Sequence, residues 1–273
     1  MEINRPDAIV SDLDGTLVPA DQRIGKRDIA AIHRLGELGI PVLPCTGRPP
    51  IRVRGIAEKL GLELAICSNG GCCYDFGREE MVFSRLMDPD LARRLINWLL
   101  ERGLLFILHT PPRTYRSPGA EVIPQYDVCG DGEEPLHILT PEVPLEELQL
   151  LKILVVECDE RKVLAEMQRD FSPDELTTCS SQPTFVDCNP SGVTKGFGLR
   201  QLAAVKGWRM ENILAMGDNF NDQDMLEAAE KSAVPADGVA EMRALAKFVT
   251  APCGEDPLAA AVEHFYPGLL GGI

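Results

Sequence analysis

The chain is predicted to be an α/β protein: a Rossmann-like, doubly wound parallel sheet with an inserted α+β unit. Three observations carry this. Short apolar runs alternate with helical periods at both ends of the chain, as crossover-connected parallel strands require. The first three runs each stop at small polar residues and glycine, where a parallel sheet binds its ligands. The rhythm breaks between about Met81 and Asp187 and returns at Thr194. The expected division is therefore 1–80 for the first part of the core, 81–189 for the insertion and 190–273 for the rest of the core.

Taken in order, Ala8-Ile9-Val10 is a buried strand entering Ser11-Asp12-Leu13-Asp14-Gly15-Thr16. A helix follows from Ile24 to Leu38, with Ile29, Ile32, Leu35 and Leu38 at helical spacing and Gly39 as its stop. Ile40 to Cys45 reads as a second strand ending in Thr46-Gly47-Arg48-Pro49, and proline suits the first turn of the helix expected from Pro50 to Leu60. Leu64 to Cys67 is expected as a third parallel strand, ending at Ser68-Asn69-Gly70-Gly71.

In the insertion, an amphipathic helix covers Leu91 to Arg102 and a strand covers Leu104 to Leu108. Thr110 to Pro144 is rich in proline and glycine, with short apolar pieces only. A strand at Leu151 to Val156, a helix at Glu160 to Asp170 and a short strand at Thr184 to Asp187 complete it. The last part has a helix from Thr194 to Lys206 and a strand from Asn212 to Met216 that runs into Gly217-Asp218-Asn219-Phe220-Asn221-Asp222. A helix through Met225 and Ala229, short strands at Ser232 to Pro235 and Phe248 to Thr250, a helix at Val239 to Ala246 and a final helix from Pro257 to Phe265 follow.

Composition narrows the class. With 27 basic and 42 acidic residues the net charge is −15, the opposite of the basic footprint a nucleic-acid-binding surface needs. No apolar run approaches the roughly 18 residues of a membrane span, and no apolar signal core stands at the N-terminus. The nine cysteines sit in apolar contexts, and the Cys67, Cys72, Cys73 cluster lacks the spacing and the histidine of a zinc site. The expectation is reduced thiols and a cytoplasmic protein with neither nucleic acid nor membrane as partner.

Asp12 and Asp14 are the centre of the functional reading. Alternate residues of an extended chain share a side, and two close carboxylates repel unless a cation lies between them or one keeps a proton. One could attack phosphorus beside a metal while the other exchanges a proton with the leaving oxygen. A turn after a core strand would use the same residue types. The other loops, with Thr46 and Gly47, Lys195, and Asp218, Asn221 and Asp222, supply a hydroxyl, backbone N–H groups, a fixed cation and further carboxylates, which are the parts phosphoryl transfer demands. Asp12, Asp218 and a backbone carbonyl at Asp14 could offer oxygen ligands to Mg²⁺.

Asp12-Leu13-Asp14-Gly15-Thr16, Thr46-Gly47-Arg48-Pro49, Thr194-Lys195-Gly196 and Gly217 to Asp222 resemble, in order, the four motifs of the haloacid dehalogenase superfamily. Asn69-Gly70 and Gly192 to Gly196 are similar to the Cof-type phosphatases of that superfamily. The resemblance implies Asp12 as the nucleophile that forms an aspartyl-phosphate and Asp14 as general acid and base. It implies that Thr46, the N–H groups of Gly47 and Leu13, Lys195 and Asn221 hold the phosphate. It implies Mg²⁺ on Asp12, Asp14 and Asp218, with Asp222 binding it or orienting its waters and Lys195. About thirty residues separate Asp14 from Thr46, too few for a cap there, whereas about a hundred precede Lys195; the insertion thus resembles the larger, C2B-type cap.

A small phosphorylated metabolite is the implied substrate: a sugar phosphate by preference, with pyridoxal phosphate and flavin mononucleotide as alternatives. Arg48, Asn69, His109, Arg113, Tyr115 and Arg116 are the candidates for selecting it. A phosphotransferase or mutase on the same core, or a non-catalytic phosphate-binding module, are the rival readings; Asp14 argues against the module, which has no alcohol to protonate.

Overall fold

The computed structural model describes residues 5–111, 113–120, 136–180 and 183–272. In chain order the core opens with β1 (Ala8–Ser11), α1 (Lys26–Glu37), β2 (Val42–Pro44), α2 (Arg54–Leu60), β3 (Leu64–Cys67), β4 (Cys72–Asp75) and β5 (Glu80–Ser84). Then come α3 (Pro89–Glu101), β6 (Leu105–His109), β7 (Thr114–Arg116), β8 (His137–Ile138), β9 (Lys152–Val156), α4 (Glu160–Asp170), β10 (Leu176–Cys179) and β11 (Val186–Pro190). The chain ends with α5 (Lys195–Lys206), β12 (Ile213–Met216), α6 (Gln223–Ala228), β13 (Lys231–Pro235), α7 (Ala240–Leu245), β14 (Phe248–Thr250) and α8 (Pro257–Phe265).

Five strands form one parallel sheet in the order β14-β13-β12-β1-β2. Both faces are covered, which is why β1 and β12 read as continuous apolar runs and not as alternating ones. The pleat divides them: Ile9, Leu214 and Met216 pack in the layer with α1 and α8. Ala8, Val10, Ile213 and Ala215 pack in the layer with α5 and α6. The sheet is doubly wound, as expected.

The third strand runs parallel beside the end of β2, as expected, but the link is a single bridge. β3 pairs antiparallel with β4, and β3-β4-β5 is a separate sheet. It meets the parallel sheet through one bridge, Cys45 to Ile66, and through the Thr46 N–H donating to the Ile66 carbonyl at 2.9 Å. The cause is local: Ser68, Asn69 and Gly70 all have positive φ, at 53, 55 and 92°, so the chain reverses at once and leaves no room for a crossover helix. The expected start of the insertion, Met81, falls inside β5.

The inserted segment forms a six-stranded sheet in the order β10-β11-β9-β6-β7-β8. Strict alternation assigns its faces. Phe106, Leu108, Ile153, Val155, Val186 and Cys188 pack under the helices α3 and α4, while Ile107, Leu154, Val156 and Phe185 cluster on the opposite face. By the same parity Lys152 and Asp187 belong to that second face, and His109 stands opposite Lys152 in the β6–β9 ladder. Part of the proline- and glycine-rich stretch from Thr110 to Pro144, namely 112 and 121–135, lies outside the described residues. Among those described, no helix is long and apolar enough to cross a membrane.

Helices α1 and α8 cap each other. Asp256 ends the turn before α8, and its Oδ1 accepts the N–H groups of Arg27 and Asp28 at 2.9 and 3.2 Å. Asp28 Oδ1 returns the bond to Ala259 N at 2.8 Å. Each carboxylate thus takes orphan donors from the other helix's first turn. Gly25 is required here, because a Cβ would lie 2.0 Å from Asp256 Oδ1. Asp28 is 1% exposed and its Oδ2 has no hydrogen-bond partner. Burial first, and the Asp256 charge against the two backbone bonds, push it up to about 7.

Since the folded state binds that proton more tightly than the unfolded chain, stability falls as pH rises from about 4 through 7 and is level above. The span is on the order of 4 kcal/mol. Urea unfolding at pH 4.5, 6 and 8 checks this against Asp28→Asn, which keeps the acceptor for Ala259 N. The stability difference between variant and wild type should shift in the variant's favour with rising pH, and a pH-independent difference would show that Asp28 does not titrate in this window.

Candidate active site

Parallel pairing of β1 with β12 brings the two acidic loops together. Ser11 is in register with Met216, and Asp12 N donates to the Met216 carbonyl at 2.9 Å, so Asp12 and Asp218 leave the sheet side by side. The Leu13 carbonyl then accepts the N–H groups of Thr16, Leu17 and Val18, which closes the chain into a tight turn. Gly15 sits at φ 83° under the Asp218 carboxylate, which lies 2.6 Å from where a Cβ would stand. Thr16 Oγ1 donates to Asp218 Oδ1 at 2.8 Å and locks the two loops.

Lys195 is the first residue of α5 and has no exposed side-chain surface. Its Nζ lies 2.9 Å from Asp12 Oδ1 and 2.6 Å from Asp222 Oδ1. Burial by itself lowers the pKa of the ammonium; Asp12 and Asp222 outweigh it and hold Lys195 charged, above its ordinary range. Asp222 Oδ2 accepts the N–H groups of Asp218 and Asn219, both at 3.0 Å. Both oxygens of Asp222 are therefore engaged in orienting Lys195 and the Asp218 loop.

Burial raises Asp12 well above the usual carboxylate range; Lys195 opposes this, and Asp222, Asp218 and Asp14 reinforce it. Asp218 is pushed up to about 7, by burial and then by Asp222. Asp12, Asp218 and Asp222 each place a carboxylate oxygen within 4.8 Å of the others. These hard donors fit a divalent cation such as Mg²⁺, whose charge would offset both the burial and the repulsion. The Asp14 carboxylate is outside this cluster. Arg48 forks it, through Nε to Oδ2 at 2.9 Å and through Nη2 to Oδ1.

The site opens into a cavity of about 350 Å³. Its floor carries Asp12, Asp14, Thr46, Gly47, Asp218 and Asn221, and its roof is the face of the inserted sheet turned away from α3 and α4, with His109, Lys152, Leu154, Phe185 and Asp187. Arg48 and Arg52 also line it. Leu13, Lys195 and Asp222 lie beneath the floor; the Leu13 N–H donates to Asp12 Oδ1 at 2.7 Å. Asn69 is behind the wall, where its N–H donates to the Thr46 carbonyl at 3.0 Å and its Oδ1 accepts from Asn221 Nδ2 at 3.3 Å. It ties two phosphate-loop candidates together without lining the cavity.

His109 is buried, and desolvation, with Lys152 and Arg52 adding to it, holds it well below its usual range, so it is a neutral imidazole. Arg113 and Tyr115 do not reach the cavity. Arg113 is exposed. Tyr115 pairs with Leu108 and so shares its helix-facing side, against the His137 ring at 5.8 Å. Arg116 pairs with Ile107, on the other face, and is not among the lining residues either.

Sequence reasoning missed Lys152, Asp187 and Arg52. A usable signal existed: Lys152 shares strand parity with Leu154 and Val156, and Asp187 with Phe185, so both charges sit on a buried face of apolar strands.

A family model described as haloacid dehalogenase-like hydrolase matches residues 9–262. Similar curated proteins include the 5-amino-6-(5-phospho-D-ribitylamino)uracil phosphatase YwtE of Bacillus subtilis, 26% identical over 97% of this chain and 98% of that one. The pyridoxal phosphate phosphatase YbhA of Escherichia coli is also 26% identical, over 96% of this chain and 98% of its own. Among solved structures, the subclass IIB sugar phosphatase BT4131 superposes with a TM-score of 0.83 at 22% identity, covering 96% of this chain and 99% of that one. With its four loops assembled around Asp12 and its model match spanning nearly the whole chain, the protein belongs to the haloacid dehalogenase-like hydrolases.

Proposed function

We propose that the protein is a Mg²⁺-dependent phosphatase that releases inorganic phosphate from a small phosphorylated metabolite through an aspartyl-phosphate on Asp12. The observation that carries this reading is the Asp12–Lys195–Asp222 array at the bottom of the cavity, with Asp218 beside it. Asp12 Oδ1 is held by Lys195 and the Leu13 N–H, which leaves Oδ2 to form the bond to phosphorus. As that bond forms, the bond from phosphorus to the substrate oxygen breaks, and Asp14 delivers a proton to the departing alcohol. In the second half Asp14 takes a proton from water, the water oxygen bonds to phosphorus, and the acyl-phosphate bond opens to return Asp12 and free phosphate.

Thr46, the Gly47 N–H, Lys195 and Asn221 hold the phosphate oxygens in this reading. Asp12, Asp218 and the Asp14 carbonyl hold Mg²⁺, which supplies charge neutralisation at the phosphate, and Asp222 orients. Because Arg48 occupies both oxygens of Asp14, proton transfer goes with a shift of that guanidinium, which ranks Arg48 as the link between substrate and acid. A sugar phosphate is the favoured substrate. The cavity is of the size that holds a small ligand, its walls carry Arg52, His109, Lys152 and Asp187, and among the described lining residues Phe185 is the one Phe, Tyr or Trp. The similarity to a sugar phosphatase supports the same choice. The described cysteines are free thiols, which suits the reducing cytoplasm.

Phosphate release from p-nitrophenyl phosphate tests the reaction. Asp12→Asn should abolish turnover, and Asp14→Asn should lower it by about 10² to 10⁴; an active Asp12→Asn protein would remove the covalent route. Treatment with a chelator should stop the reaction and added Mg²⁺ should restore it. Activity untouched by chelation would remove the metal from the mechanism. In a screen of phosphorylated metabolites, hexose and pentose phosphates should lead, and a preference for flavin mononucleotide would reverse the substrate choice.

A further inference from the structure

One buried charge on the roof has no place in the reaction as derived. Lys152, at the start of β9, is 2% exposed. Its Nζ donates to the Gly47 carbonyl at 2.7 Å and to Asp187 Oδ1 at 2.5 Å. Gly47 belongs to the loop whose N–H and hydroxyl groups are to hold phosphate. The peptide that carries this carbonyl also carries the Arg48 N–H, which donates to Thr46 Oγ1 at 3.2 Å. The bonds form one line: ammonium to carbonyl, across a peptide, then amide N–H to hydroxyl oxygen. With its oxygen already accepting, the Thr46 hydroxyl has its hydrogen to give, and each bond in such a chain polarises the next.

We propose that Lys152 is a positioning residue for phosphate binding and transfer: from the inserted sheet it fixes and polarises the Gly47–Arg48 peptide, and thereby aims the Thr46 hydroxyl at the phosphate. The inference rests on the phosphatase reading given above. Its energetics favour a role in the site over a role in stability. A buried ion pair is seldom more stabilising than apolar side chains of the same volume, because desolvation consumes the Coulomb gain. Lys152 and Asp187 stand among Leu154, Phe185 and Val156, where such side chains would fit. Asp187 is fully buried, keeps Lys152 in place through Oδ1 and leaves Oδ2 without a hydrogen-bond partner. Gly47 is also part of the fit, since a Cβ there would stand 3.1 Å from Asn69 Oδ1 and 3.5 Å from Lys152 Nζ. The loop is thereby gripped from two sides: Asn69 bonds the Thr46 carbonyl from the core, and Lys152 bonds the Gly47 carbonyl from the insertion.

The double variant Lys152→Met with Asp187→Leu removes both charges together and so strands neither. A second, Lys152→Gln with Asp187→Asn, keeps polar shapes and serves if the first does not fold. Turnover of p-nitrophenyl phosphate and of a hexose phosphate is measured for each, beside the thermal midpoint and the binding of inorganic phosphate by calorimetry. The expected result is a midpoint no lower than wild type, kcat down about tenfold or more on both substrates alike, and phosphate bound several-fold more weakly. Phosphate binding within twofold of wild type, or a loss confined to the hexose phosphate, would overturn the proposal, the latter by making Lys152 a contact to the substrate body. A wild-type protein without turnover on either substrate would instead overturn the phosphatase reading itself.

Discussion

The buried ammonium of Lys195 is the constraint on which the site depends. Three carboxylates, those of Asp12, Asp218 and Asp222, converge where the chain leaves β1 and β12. Without compensation such a cluster would be costly to bury, since each charge loses its hydration and repels the others. Lys195 removes part of that cost by bonding Asp12 and Asp222 together. Its position as first residue of α5 is secured by Thr194, whose side chain caps that helix at Phe197 N. The remaining imbalance is what suits the cluster to a divalent cation.

The same economy of parts appears in how the loops hold one another. Asp218 is locked by Thr16 and shielded by Gly15, Asp222 orients the Asp218 loop through two backbone bonds, and Asn69 joins the Thr46 and Asn221 loops. Each candidate loop is braced from elsewhere in the chain: Asp12 by Lys195, Asp218 by Thr16 and Gly47 by Lys152. This is preorganisation in a literal sense: the groups are set by the fold before any phosphate arrives, so little reorganisation is left to the reaction. The roof contributes in a different manner. It closes the cavity with one face of a sheet whose other face is committed to α3 and α4, so its few polar side chains, His109, Lys152 and Asp187, are displayed against an apolar ground.

The order and chemistry of the four loops were legible in the sequence because each follows a buried strand, and a strand-to-loop transition is a local event. Apolar runs of four or five residues, a glycine stop and a polar cluster are sufficient to mark it. Asp12, Thr46, Lys195 and Asp218 could be placed for that reason, and the helices at Glu160–Asp170 and Pro257–Phe265 match their expected bounds. What depended on pairing was not legible. β3 carries the same apolar signature whether its neighbour is parallel or antiparallel; its parallel link is the single Cys45–Ile66 bridge, and the three successive positive φ values at Ser68, Asn69 and Gly70 turn the chain back into the antiparallel β4. Arg113 and Tyr115 looked suited to a substrate because of their chemistry, yet the register of β7 with β6 turns Tyr115 to the helices.

The sequence by itself determined the family of loops, the doubly wound core and the acidic, metal-suited character of the site, because residue type and local period are written along the chain. Tertiary structure alone decided that Asp14 lies in the fork of Arg48 and outside the carboxylate cluster, and that both oxygens of Asp222 are engaged. It also decided that Lys152 and Asp187, hidden in apolar strands, stand over the Thr46–Gly47 loop. The Arg48–Asp14 and Lys152–Gly47 contacts join residues 34 and 105 positions apart, and no local pattern specifies a distance in space between them. Strand register and sheet packing set it.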